Sequence, residues 1–192
     1  MTRFLWVRHG PTHAKVMVGW TDLPADLSDR AALARLSGLL PAEGIVMSSD
    51  LIRARATADA IQGGRQRLPD DVALREIHFG TWEMRGFAEI EAESPDHIRA
   101  FWETPGDVRP PGGESWNDLC ARIGMAVDRL TADHPGKTLI VVAHFGAILA
   151  AVQRAGGLTA EQTLSHRIEN LSVTEMSLGP DGWQVGRINH IP

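Results

Sequence analysis

Residues 137–144, KTLIVVAH, limit the possible folds more than any other stretch of the chain. A strand with one wet face alternates polar and apolar residues. Five apolar residues in a row, 139–143, instead require a strand covered on both faces, as in the parallel sheets of α/β proteins. Residues 2–8 read as a first strand of the same kind, and GIVMSSD, 44–50, as a short buried strand running into a polar turn.

Helical patterns fill the intervals. Leu33, Leu36 and Leu40 share a helix face, with Ser28 as the expected N-cap and Pro41 as the stop. LIRARATADAIQGG reads as a helix ended by Gly63 and Gly64, and Trp116, Leu119, Ile123, Val127 and Leu130 mark one face of a long helix. AILAAVQRA ends at Gly156 and Gly157, and TAEQ offers a capping box at Thr159. LSVTEMSLG and WQVGRIN form a C-terminal hairpin turning at PDG. Residues 84–115 break the alternation as a loop-and-helix excursion, with Ser94 as N-cap and Pro95 at the first helical position of SPDHIRAFW. The expectation is a three-layer α/β sandwich: a mainly parallel central sheet, helices on both faces, and a single domain over 1–192 with a cap insertion at about 84–115.

Composition narrows the function classes. The 192 residues carry a formal net charge of −5, which argues against a nucleic-acid partner, and no apolar run is long enough to span a membrane. The single cysteine, Cys120, excludes an internal disulfide. With no apolar leader at the start, it favours a cytoplasmic setting. The oligomeric state is not readable. In sheets of this kind ligands bind beyond the carboxyl ends of the strands. Three strands end there in polar clusters, Arg8-His9, Ser48-Ser49-Asp50 and His144, which are expected to converge.

Arg8, His9, Arg53 and His144 together suit a dianionic phosphoryl group. Guanidiniums match its oxygens as planar forks, and imidazole is neutral often enough near pH 7 to attack phosphorus. Such a site also needs a carboxylic acid for the departing alkoxide. Glu76 and Glu83 are the candidates.

VRHGPT resembles the arginine-histidine-glycine signature of the histidine phosphatase superfamily, the group that contains cofactor-dependent phosphoglycerate mutases. GWTDLPADLS, SSDLIRARATA, LREIHFGTWE, GGES, VVAHFGAI and ENLSVTEM resemble further family segments in order and spacing, over nearly the whole chain. The resemblance implies a metal-independent enzyme without a cofactor. In it His9 takes the phosphoryl group, Arg8 and Arg53 hold its oxygens, and His144 stabilises its developing charge. Glu76, favoured over Glu83, serves as acid and then base. Thr12, Lys15, Trp20 and Phe145 are expected around phosphate or substrate, and Arg109 is placed toward the substrate. His13 and His78 are left between pocket rim and solvated loop, and Arg55 is read as a helix-surface residue.

Four positions depart from the family pattern: Lys15 for asparagine, Asp50 for proline, and Met84 and Phe145 for glycines. Asp50 is expected to cap the helix that follows it. The expected activity is hydrolysis of a small soluble phosphate ester. α-Ribazole phosphate, sugar phosphates and phosphoglycerates all remain open as substrates. The mutases resembled are longer, and they carry an arginine where this chain has Ile77. Mutase-type phosphoryl transfer and a catalytically silent phosphate-binding protein are the alternatives.

Overall fold

A computed structural model describes all residues, 1–192. Its sheet has five strands: β1 (Thr2–Arg8), β2 (Ile45–Ser48), β3 (Thr138–Ala143), β4 (Val173–Gly179) and β5 (Gly182–Val185), in the order β2-β3-β1-β4-β5. β1 pairs in parallel with β3 and β3 with β2, while β4 and β5 add an antiparallel hairpin at the other edge. The sheet is therefore mixed, with the three parallel strands at the end of the order that carries the chemistry.

Alternation along the strands divides the interior in two. Phe4, Trp6, Leu139 and Val141 face a larger core, built with α5 (Trp116–Asp133) and α6 (Phe145–Gly156). Leu5, Val7, Ile140 and Val142 face a smaller one, built with α1 (Arg30–Leu39) and α2 (Ile52–Gln62). Residues 84–115 form α3 (Phe87–Glu93), α4 (Pro95–Glu103) and a loop. Their Ile90, Ile98 and Phe101 join the larger core. α7 (Ala160–Leu164) precedes the hairpin. No helix is long and apolar enough to cross a membrane.

The helix ends differ from expectation in detail. Asp29, not Ser28, caps α1, accepting from the Ala32 backbone N–H at 2.9 Å. Both side chains have the right chemistry, and the difference is one residue of register. Asp50 does not cap α2. Its carboxylate takes a two-pronged bond from Arg75 at 2.8 and 2.6 Å, and Asp22 accepts from the first helical N–H, Ile52, at 2.6 Å. Arg75 outcompetes a neutral amide because the bond is charge-assisted on both sides. Ser94 occupies the start of α4, as expected, but its hydroxyl makes no cap bond. α6 begins at Phe145, two residues earlier than the apolar run indicates, so His144 is its N-cap residue. The capping boxes at Ser115 and Thr159 both form.

Candidate active site

Parallel register levels the ends of the central strands. Arg8 lies opposite Ala143, and Ser48 opposite Val142. The next residues out, His9, Ser49 and His144, therefore meet at one edge. The rings of His9 and His144 are 5.0 Å apart, and Ser49 Oγ lies 2.6 Å from His144 Nε2. His9 Nδ1 is 2.6 Å from the Gly10 carbonyl oxygen. A carbonyl can only accept, so Nδ1 carries the hydrogen and Nε2 keeps its lone pair. Burial, reinforced by the Arg53 charge, lowers the His9 pKa to about 3, so the ring is neutral at pH 7. Burial also pushes His144 well below its ordinary value, with His9 adding to the effect.

The backbone around His9 is tied from three directions. Gly10 N–H donates to Thr57 Oγ1 at 3.0 Å, Asn170 Nδ2 donates to the His9 carbonyl at 2.7 Å, and Leu171 N–H donates to the Arg8 carbonyl at 2.9 Å. A side chain at Gly10 would place its Cβ 2.6 Å from Leu27 Cδ2, so this approach requires glycine.

Arg8, His9, Thr12, Arg53, Glu76 and Phe145 surround a cavity of about 140 Å³, closed by the aliphatic side of the 14–18 loop. Arg8 donates to the Ile168 carbonyl at 2.6 Å, and its guanidinium lies 5.5 Å from the centre of the Phe145 ring. Arg53, buried in the second turn-position of α2, donates to the carbonyls of Gly19 at 2.5 Å and Thr21 at 2.9 Å. Burial lowers both guanidinium pKa values, and the nearby Glu76 charge opposes the shift in each. The two arginines retain their charge at any pH near neutrality.

Glu76 comes from the irregular segment between α2 and α3. One carboxylate oxygen accepts from its neighbour Ile77 N–H at 2.9 Å and the other from Gly146 N–H, in the first turn of α6, at 3.0 Å. A Cβ at residue 146 would lie 2.4 Å from this carboxylate, so glycine permits the contact. Arg122 of α5 donates to the carbonyls of Ala73, Arg75 and Glu76 and pairs with Glu114 at 2.7 Å, which pins the segment from behind.

Glu83 is outside the cavity and does a different job. It accepts from the backbone N–H groups of Gly19, Trp20, Thr21 and Phe79 and from the Thr21 hydroxyl, at 2.7–3.3 Å. Burial would raise its pKa, but those hydrogen bonds outweigh it and hold the carboxyl below its usual range. The 19–21 loop it organises is the loop whose carbonyls hold Arg53.

Several expected residues lie elsewhere. Lys15 is exposed and not part of the cavity wall. Trp20 is likewise off the wall: its Nε1 donates to the Glu76 carbonyl at 2.8 Å, and its ring packs against His78 and the Arg75 guanidinium. Arg109 does not face the cavity. Its guanidinium is tied to Asp118 at 2.6 and 2.8 Å on the surface. His13 pairs with Asp26 at 2.8 Å, and Arg55 is an exposed helix residue. Met84 adopts φ 62°, the left-handed region that the glycine of the family pattern enters without strain. Burial raises the Cys120 thiol to about 11, which leaves it unreactive. No group of three or more His, Cys, Asp or Glu side chains is arranged to hold a metal ion. Ser49 belongs to a strand-end cluster the sequence already singles out, whereas the supports from Thr57, Asn170 and Arg122 are not separable from ordinary polar residues by sequence pattern alone, although Thr57 and Asn170 lie in quoted family segments.

A cavity between two guanidiniums, a lone-pair-bearing imidazole and a carboxylate, at the carboxyl edge of an α/β sheet, defines a phosphate-ester site of the histidine-based kind. The chain belongs to the histidine phosphatase superfamily (branch 1), whose pattern it matches over residues 4–191. Bifunctional protein Rv2228c of Mycobacterium tuberculosis is 33% identical over 159 residues, 74% of this chain, and the chain spans only 41% of that relative's length. Glucosyl-3-phosphoglycerate phosphatase of the same organism is 34% identical over 173 residues, 80% of this chain and 74% of the relative. Among solved structures, Bacillus stearothermophilus YhfR superposes with a TM-score of 0.91 at 28% identity, covering 100% of this chain and 98% of that one.

Proposed function

We propose that the chain is a phosphomonoesterase that hydrolyses a small soluble phosphate ester through a phosphohistidine at His9. The observation that carries this reading is the His9 tautomer: the Gly10 carbonyl takes the Nδ1 hydrogen and leaves Nε2 with a lone pair beside Arg8 and Arg53. Nε2 attacks phosphorus, the bond to the alcohol oxygen breaks, and Glu76 gives that oxygen its proton. Glu76 then takes a proton from water, the water oxygen bonds to phosphorus, and the N–P electron pair returns to Nε2. Arg8 and Arg53 offset charge on the transferring oxygens, and His144, in ring contact with His9, supplies a second imidazole.

Thr12 and Phe145 complete the binding wall, and residues 84–115 act as the cap beside it within one domain. Hydrolysis is preferred to mutase transfer because Ile77 stands where the mutases resembled carry an arginine, and so supplies no guanidinium for a second acidic group. The single cysteine fits a cytoplasmic setting, and the partner is a small-molecule phosphate ester. The test is phosphate release from a panel of metabolite esters with chelator present. Wild type should turn over at least one, and His9→Ala should lose at least ~10⁴-fold. Chelator-sensitive turnover or full activity in the variant overturns the mechanism.

A further inference from the structure

A second cavity, of about 60 Å³, opens on the other side of Glu76 and Phe145. These two side chains line both cavities, so the second one adjoins the place where the ester's alcohol leaves. Its walls are Phe79, Phe101, Trp102, Trp116, Phe145 and Leu164. The aromatic wall is a contact cluster of its own, with Phe101–Trp102 ring centres 5.0 Å apart and Phe79–Trp102 and Phe79–Phe101 both 6.2 Å. The Trp116 indole N–H is already used, donating to Gln153 Oε1 at 2.7 Å. Glu76 is the only charged residue in the lining.

We propose that this cavity binds the alcohol portion of the substrate and selects esters whose alcohol is compact and apolar, a short branched alkyl or a single ring. The proposal rests on the phosphomonoesterase reading, since the occupant is placed by its phosphoryl group in the neighbouring cavity. Two features favour this occupant. The volume takes about four to six water-sized groups, the size of a short branched alkyl or a single ring. An alcohol bearing a carboxylate or second phosphate would meet no cation there and would lie against an aromatic wall, where a desolvated charge is costly. Phe145 stands where the family pattern has glycine and forms the partition, so this selection belongs to the present chain.

The experiment compares ethyl phosphate with 3-methylbutyl phosphate, whose leaving alcohols are chemically alike. Glycerol 1-phosphate serves as the polar control. In parallel, calorimetry measures binding of the inert ethyl- and 3-methylbutylphosphonates. At about fourfold per buried methylene, kcat/KM and affinity should both favour the branched compound by at least ~10-fold. Trp102→Ala and, on a different helix, Leu164→Ala should each shrink that ratio. Equal values for the two esters and the two phosphonates, or a preference for glycerol 1-phosphate, overturn the apolar selection and leave hydrolysis standing. Phosphonate selectivity without turnover of any ester keeps the cavity's occupant and overturns hydrolysis. Absence of both binding and turnover overturns both.

Discussion

His9 at a strand end, Arg53 on α2 and Glu76 in a loop are held almost entirely by backbone amides and carbonyls, at 2.5–3.0 Å. The 84–115 segment is fastened by other means. Ile90, Ile98 and Phe101 enter the core, while its exterior is laced with exposed ion pairs, Arg85 with Glu89 and Glu93, Arg99 with Glu91, and Arg109 with Asp118. Backbone-tied polar groups tolerate little change, because each buried partner lost leaves an unsatisfied group costing about 1–3 kcal/mol. Exposed ion pairs are worth about 0–1 kcal/mol each and can be exchanged. The proposed chemistry is therefore placed on the tightly tied part, and the excursion beside it is fastened at its surface by contacts that can be exchanged.

The contrast breaks most sharply at the joint between Glu76 and α6. Gly146→Ala puts a methyl group 2.4 Å from the Glu76 carboxylate, and Leu119 closes the far side at 3.2 Å. Displacing the carboxylate by about 1 Å should lower kcat by about 10²-fold with the fold retained, checked by steady-state kinetics beside circular dichroism. An unchanged kcat would mean that Glu76 is not held where the reaction needs it.

One step removed, Glu83→Gln replaces an oxygen that accepts backbone N–H groups with an amide that cannot accept them. The loop holding Arg53 should loosen. A ~10-fold loss in kcat/KM and a destabilisation of about 1–3 kcal/mol by urea titration are expected. The loss should be restored in part by Glu83→Asp and not by salt.

The rigid region should also govern acid sensitivity. His9 and His144 have pKa values lowered in the fold, so between about pH 6.5 and about 3 the unfolded chain binds more protons than the native one. Stability rises with pH where the unfolded state is the more protonated, so it should fall as pH drops through that window. Each histidine contributes at most about 1.4 kcal/mol per pH unit. Urea midpoints at pH 7, 5.5 and 4 should decline in wild type and decline less in His9→Gln; a parallel decline would remove His9 from the explanation. Smallest of all, Arg109→Ala in the excursion should leave the urea midpoint unchanged and alter kcat/KM by less than about twofold. A larger loss would return Arg109 to the substrate.

The same contrast separates what was legible in the sequence from what was not. Unbroken apolar runs and strand-end polar clusters disclosed the layers and the meeting of Arg8, His9 and His144, because buried strands and their register leave few alternatives. Glu76 needed the family pattern, since nothing local distinguishes it from Glu83, whereas Arg53 already stood in the phosphate-binding set on its chemistry. Lys15, Trp20 and Arg109 were expected at the substrate and lie off the cavity, because side-chain direction in loops depends on partners such as Asp118 that no periodicity announces. The aromatic cavity was invisible for the same reason: Phe79, Phe101, Trp102 and Trp116 come from three separate segments and read individually as packing residues.

The central claim is that His9 Nε2 takes the phosphoryl group. Its most direct test is an alkaline quench of wild-type protein during turnover of a ³²P-labelled ester, followed by peptide mapping. The account predicts an alkali-stable, acid-labile label on the peptide containing His9, and no label with His9→Ala. Label on another residue, or steady turnover by His9→Ala without any, would contradict it.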